Sequence, residues 1–392
     1  ERLLTAAMTP PFGPVHVELT AAAARAACEV AAPANGEAPT PQPIDATAAR
    51  ELLAAARRPV IVAGLEARDL SATQAVAALV ADLGCPVLVT YKAKGVIPDD
   101  HPQFAGVFTG GQAERACVDR ADLILLLGAD PVEFILKPWP YDKPVIEVGL
   151  ASHPVHYVTP TAGIYGPLDA GIAALRGGNS GSDWTMDEIA DLRAGMTAGL
   201  AYPGAQPLNP QSVVEIAQAE LTGDPRVTVD AGAHMISAMA FWQAGRANDM
   251  LISNGLATMG FALPAAIASA LEDPARGALA FTGDGGFMMC AGELATAAQH
   301  GANVTVVVFN DGALSLIDIK QQSRGLAPRG VRWPRSDFAR VAEGFGCRAW
   351  RADTVDAYRD ALAKANETSG PALIDVHIDP AGYREQLAAL RG

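Results

Sequence analysis

The 392 residues are half hydrophobic and only 6% aromatic, which is enough to bury the cores of two or three domains and argues against a disordered chain. With 43 acidic residues against 29 basic ones the net charge is −14, and no cluster of lysine and arginine stands out, so nucleic acid is excluded as the expected partner. Apolar runs such as 123–127 and 304–309 are strand-sized, so no membrane span is expected, and without a secretory signal the expected location is the cytoplasm. Cys28, Cys85, Cys117, Cys290 and Cys347 are scattered, with no CxxC pair and no zinc spacing, and read as reduced thiols packed as small apolar side chains.

Taken in chain order, residues 1–8 read as the end of a helix and 13–19 (GPVHVEL) as a buried strand with little before it to pair with. Residues 1–30 are therefore expected to be the last elements of an upstream domain. The proline-rich stretch 31–44 reads as a linker. Between 45 and 176, strand patterns at 60–63, 87–90, 123–127 and 145–148 alternate with helical patterns at 47–56, 72–83 and 168–175. Continuous apolar strands between amphipathic helices predict a parallel sheet covered on both faces. The glycine- and serine-rich stretch 177–184 is a second linker, and 186–198 is helical. From 211 the alternation resumes. Strands are expected at 227–230, 251–253, 278–282, 304–309 and 373–378, and helices at 211–221, 261–271, 292–300, 336–344 and 355–365. The fold class is α/β, with two doubly wound parallel-sheet domains preceded by the remnant of a third.

Residues 278–316 are the most informative. They read as a strand, the turn Gly283-Asp284-Gly285-Gly286, a helix, a second strand, and the polar turn Asn310-Asp311. Glycines permit close backbone approach, and a helix after such a turn would aim free N–H groups at an anion. Asp284 and Asp311 end strands that can be sheet neighbours, so both could reach one hard cation. Glycine turns at strand ends are common, and the spacing sharpens the signal: 24 residues intervene between Gly285 and Asn310.

This arrangement resembles the signature of thiamine-diphosphate enzymes, GDG followed after a similar interval by a pair of asparagines. The resemblance implies thiamine diphosphate and Mg2+ as cofactors, with Asp284, Asp311 and the backbone of Ala313 as metal ligands. Asp311 departs from the commoner asparagine, a feature shared with catabolic acetolactate synthases. Residues 252–271 (ISNGLATMGFALPAAIASAL) and 230–235 (DAGAHM) resemble two further cofactor-contacting stretches of acetolactate synthases and benzoylformate decarboxylases. They imply Met259 as the wedge between the cofactor's rings, the Ala257 carbonyl as acceptor from the aminopyrimidine, and Ala233 and His234 as phosphate contacts beside Gly283, Gly285 and Gly286. Plain core or structural roles would also account for Met259 and His234 taken alone. The other histidines have no such context.

The resemblance covers nearly the whole chain. Residues 1–30 resemble the end of a pyrimidine-binding domain, 45–176 the central domain, and 185–392 the diphosphate-binding domain. The turn Gly64–Arg68 lacks a glycine-rich run, so FAD is not expected. No GxGxxG follows the first strand of either domain, which tells against a nicotinamide oxidoreductase. The expected activity is that of a decarboxylase, lyase or carboligase acting on a 2-keto acid or aldehyde. The family's activating glutamate belongs to the pyrimidine-binding domain, and Glu18, Glu29 and Glu37 come too late to take its place. Either these residues are part of a longer chain that carries the domain, or a separate chain supplies it; the expected partners are a homo-oligomer (dimer or tetramer), a separate chain carrying that domain, or both. The alternative is a non-catalytic cofactor-binding or assembly subunit. Gln321, Gln322 and the segment 383–390 are candidates to line or cover the substrate pocket.

Overall fold

The computed structural model describes residues 2–10, 12–27, 44–134, 138–153, 158–177, 181–204, 206–253 and 255–392. Most of the 31–44 linker, part of the 177–184 linker, and Cys28, Glu29, Glu37 and His156 lie outside the described residues.

Twelve strands are found among the described residues, in two sheets with every pairing parallel. The first sheet holds β1 (Pro59–Ala63), β2 (Val87–Val89), β3 (Phe104–Val107), β4 (Leu123–Leu127), β5 (Val145–Gly149) and β6 (Ala162–Tyr165), in the order β3-β2-β1-β4-β5-β6. β1 and β4 are buried along their whole length, which explains their unbroken apolar runs. The helix Leu70–Leu83 starts on Asp69, whose side chain accepts from the Ser71 and Ala72 amides, and stops at Gly84 in a left-handed conformation.

The second sheet holds β7 (Arg226–Val229), β8 (Met250–Ile252), β9 (Ala278–Gly283), β10 (Val304–Asn310), β11 (Arg348–Ala352) and β12 (Ala372–His377), in the order β11-β12-β10-β9-β7-β8. The chain leaves β7 toward β8 on one side and resumes with β9 on the other. The carboxyl ends of β7 and β9 therefore flank a topological switch point, where open parallel sheets hold ligands.

The expected strand at 13–19 is absent. These residues are exposed and irregular, because a strand needs a neighbour's ladder and each sheet ends at its own edge strands without them. β3, β6 and β11 were not anticipated. β3 contains Gly106, β6 alternates buried and exposed positions, and β11 (RAWRA) is an edge strand interrupted by two arginines, so none presents a run of apolar residues. Cys85, Cys117 and Cys347 are buried free thiols, and Cys290 is half-buried. No helix among the described residues is long and apolar enough to cross a membrane.

The two sheet layers are docked through residues 94–99. Lys94, buried, pairs with Asp99 at 2.6 Å and donates to the Met239 carbonyl at 2.9 Å. The Ala244 amide donates to Asp99 at 3.0 Å, and the Asp99 amide donates to the Ala244 carbonyl at 3.0 Å.

Candidate cofactor site

β9 and β10 are adjacent, and Gly283 is in register with Phe309, so Asp284 and Asp311 emerge side by side at one end of the sheet. The Asp284 carboxylate accepts from the Gly312 amide at 2.8 Å and from the Gly285 amide at 2.7 Å. Asp311 accepts from the Ala313 amide at 3.1 Å and from the Ser315 hydroxyl. Burial, then repulsion from Asp311, pushes the Asp284 carboxyl up to about 7. Burial pushes Asp311 up to about 6, against the Ser315 hydroxyl and the Ala313 amide, which lower it. Two crowded, poorly solvated carboxylates are a donor set that a hard divalent cation would relieve. Among the described residues no group of three or more His, Cys, Asp or Glu side chains could hold a metal, so further oxygens would have to come from backbone and ligand.

The glycine turn is hemmed in closely. A Cβ on Gly285 would lie 2.4 Å from Leu314 and 3.3 Å from Met259, and one on Gly286 only 2.3 Å from an Asp230 oxygen. The helix after the turn, Asp284–Cys290, is one of seven residues, and its Gly285 amide is already taken by Asp284. The free N–H groups expected of it are reduced accordingly.

Asp230 is the residue that sequence reasoning passed over. Fully buried after β7, it accepts from the Phe261 and Ala262 amides at 2.7 Å each, from the Gly260 amide at 3.2 Å and from the Thr282 hydroxyl at 2.6 Å. It thus joins β7, β9 and the turn carrying Met259. The available signal was an aspartate ending a strand just before a small-residue turn, DAGA. Ala257 in that loop has φ +49°, a left-handed conformation that is costly for a residue bearing a Cβ and that typically marks a functional loop. Leu256 beside it is 92% exposed.

His234 opens the helix His234–Phe241 and stacks on Phe309, with ring centroids 5.0 Å apart. Burial lowers its pKa to about 4 despite the nearby Asp230 charge, so the imidazole is neutral. Its Nε2 is buried without a hydrogen-bond partner in the protein.

These residues meet in one cavity of about 580 Å³, within the range of roughly 300–1,000 Å³ of small-molecule sites. All ten residues singled out in the sequence (Ala233, His234, Ala257, Met259, Gly283, Asp284, Gly285, Gly286, Asp311 and Ala313) line it. So do Tyr91, Thr109 and Glu133, from loops that follow β2, β3 and β4. The cavity therefore lies between the carboxyl ends of both sheets. Of the pocket candidates, Tyr383 and Leu390 line it and Gln321 and Gln322 do not; Lys320 and Arg391 do so as well.

The family model described as the thiamine pyrophosphate enzyme central domain matches residues 46–175, and that described as the C-terminal TPP binding domain matches residues 230–376. The chain is 28% identical over 337 residues to an acetolactate synthase of Bacillus subtilis, a match covering 83% of this chain and 59% of the relative. A catabolic acetolactate synthase of Raoultella terrigena is 30% identical over 305 residues, covering 75% and 54%. A probable 2-ketoarginine decarboxylase of Pseudomonas aeruginosa is 30% identical over 337 residues, covering 84% and 59%. The chain spans less than two thirds of the length of each of these relatives. With both sheets matched to its domains and the glycine–aspartate turn at their shared cavity, the chain belongs to the family of thiamine pyrophosphate enzymes.

Proposed function

We propose that the chain is the diphosphate- and magnesium-binding part of a decarboxylase, lyase or carboligase acting on a 2-keto acid. Residues 45–176 form its central domain and 185–392 its cofactor domain, with 1–30 the end of a pyrimidine-binding domain and linkers at 31–44 and 177–184. The observation that carries this reading is the pair of buried carboxylates, Asp284 and Asp311, brought together by adjacent strands at the wall of a ligand-sized cavity.

Asp284, Asp311 and the Ala313 carbonyl would hold Mg2+ against the diphosphate. His234 and the backbone of Ala233 would contact phosphate oxygens. Met259, set by the bonds from Asp230, would hold the cofactor bent, while the left-handed Ala257 would turn its carbonyl to the aminopyrimidine. When bound, the cofactor supplies an electron sink for cleavage next to a carbonyl. The only glutamate lining the cavity among the described residues is Glu133, whose carboxylate accepts from the Leu65 and Asp130 amides and the Thr90 hydroxyl. The activating glutamate is therefore assigned to the family's pyrimidine-binding domain, and the enzyme to the cytoplasm.

Tryptophan fluorescence during titration with thiamine diphosphate and Mg2+ tests the reading. Asp284→Ala is expected to weaken binding at least about ten-fold, in line with loss of a charged ligand. Equal affinity in the variant and the parent would sink it. CO2 release from pyruvate or benzoylformate, appearing only after addition of a pyrimidine-binding chain, would mark a split enzyme. None with any keto acid would favour a cofactor-binding or assembly subunit.

A further inference from the structure

One stretch of this acidic chain carries the opposite charge. The net charge is −14, yet residues 319–336 hold Lys320, Arg324, Arg329, Arg332 and Arg335 and no acidic residue. Arg332 pairs with Asp318 at 2.7 Å, and Arg335 donates to the Ile378 carbonyl at 2.8 Å. Lys320, Arg324 and Arg329 make no ion pair among the described residues, and neither does Arg384 of the helix Tyr383–Arg391. Lys320, in the helix Ser315–Ser323, lines the cavity and is exposed, so the strip begins at the cavity mouth.

The two glutamines that do not line the cavity hold this strip in shape. Gln321 accepts from the Arg329 amide through its side chain at 3.3 Å and from the Leu326 amide through its carbonyl at 2.9 Å. Gln322 accepts from the Arg384 guanidinium at 2.8 Å, which ties the helix Ser315–Ser323 to the C-terminal helix. Beyond them the Leu314 amide donates to the Val331 carbonyl and the Trp333 amide to the Gly312 carbonyl, at 2.9 Å each. The segment thus returns to the residues that follow Asp311. Partial burial, then repulsion from Arg391 and Arg324, holds Lys320 below the ordinary lysine value, a cost that a bound anion would remove.

Guanidinium groups take phosphate oxygens in pairs and stack on aromatic rings. Four unpaired cations suit more than one phosphate. Leu326, 56% exposed among them, is apolar surface that an inorganic anion would leave uncovered and a nucleoside would cover. A macromolecule fits less well. The nine exposed residues 322–330 fall short of the roughly 20–30 that a stable protein partner covers on each side. The negative charge of the rest of the chain would repel a nucleic-acid backbone. We propose that Lys320, Arg324, Arg329 and Arg384 form a site for a nucleoside diphosphate at the cavity mouth, outside the paired carboxylates. The ligand is a free nucleotide or the nucleotide end of an acyl carrier whose acyl group enters the cavity past Lys320. The acyl-carrier source rests on the thiamine reading, and the diphosphate binding does not.

The test is calorimetric titration of the chain with ADP and with adenosine, without thiamine diphosphate and Mg2+ and with both at saturation. ADP is expected to bind at least about ten-fold more tightly, the effect of charge-assisted contacts, and to weaken as salt is raised. The double variant Arg324→Gln/Arg329→Gln is expected to lose most of that preference. Arg340→Gln, whose guanidinium pairs with Asp337 outside the strip, should keep it. Acetyl-coenzyme A binding more tightly than ADP, with the excess lost in Lys320→Gln, would mark an acyl carrier; equal affinity would mark a free nucleotide. Equal affinity for ADP and adenosine, or a preference that survives in the double variant, would overturn the site. So would ADP binding that vanishes once thiamine diphosphate is saturating, since ADP would then be using the inner site. Retention on phosphatidylserine vesicles through the same arginines, without a preference for ADP, would put a membrane surface in the nucleotide's place. Failure of thiamine diphosphate to bind, with the ADP preference present, would sink the cofactor reading alone.

Discussion

Asp230 receives three backbone amides and one hydroxyl at the place where β7, β9 and the Met259 turn converge. Asp230→Ala would leave three amides without their acceptor, at a cost of about 3 kcal/mol or more from buried unmade bonds. Urea denaturation measures this, and a loss under about 1 kcal/mol would show that water or relaxation replaces the carboxylate. The neighbouring glycines differ for a related reason. At Gly285 an added methyl meets the end of a flexible Leu314 side chain, whereas at Gly286 it meets the pinned Asp230 oxygen. Gly286→Ala is expected to destabilise by about 2–3 kcal/mol and Gly285→Ala by less, as overpacking against rigid and yielding neighbours predicts. The reverse ranking would contradict this account of the turn.

At the scale of elements, the segment 94–99 that follows β2 joins the two layers. Gly95 has φ +86°, and a Cβ there would lie 1.9 Å from the Arg246 carbonyl oxygen. Gly95→Ala is therefore expected to cost about 3 kcal/mol or more, from strain combined with a backbone clash. Differential scanning calorimetry would show a lowered or split transition; an unchanged thermogram would mean that the layers do not depend on this contact. Just past β4, burial raises the Glu133 carboxyl from 4.5 to about 7. Between those values the unfolded chain is ionised at this position and the folded chain is still protonated. The stability Glu133 contributes is thus fully present below 4.5 and is lost as pH rises through about 7, a loss of about 2–3 kcal/mol. Glu133→Gln can accept the two amides through its oxygen and donate to Thr90 through its nitrogen. Chemical denaturation of this variant is expected to show a flatter pH dependence from about pH 5 to 7.5 and a gain at the upper end. An unchanged slope would place the titrating group elsewhere.

For the molecule as a whole, the cavity is closed by the carboxyl ends of both sheets, so ligand binding and the docking of the layers are coupled. Thiamine diphosphate with Mg2+ at about one hundred times its Kd is expected to add about 2.7 kcal/mol to unfolding, since it binds only the folded chain. EDTA should reverse the gain. A shift insensitive to EDTA would show that Asp284 and Asp311 bind no metal that matters to the cofactor.

The sequence by itself was sufficient for the parallel α/β class, because strands buried on both faces must be continuously apolar, as 123–127 is. It was sufficient, too, for placing Asp284 and Asp311 at the ends of neighbouring strands, since local strand–turn–helix order determines that geometry. It misjudged 13–19, where an apolar alternation has no neighbouring strand to bond, and it missed β11, whose pairing with β12 owes nothing to its own composition. Only the tertiary structure revealed Asp230 as the shared acceptor, the Lys94–Asp99 junction, and the approach of Tyr91, Thr109 and Glu133 to the cavity of the second sheet. Those contacts join residues far apart in the chain, and no local pattern encodes a meeting that depends on how two sheets dock.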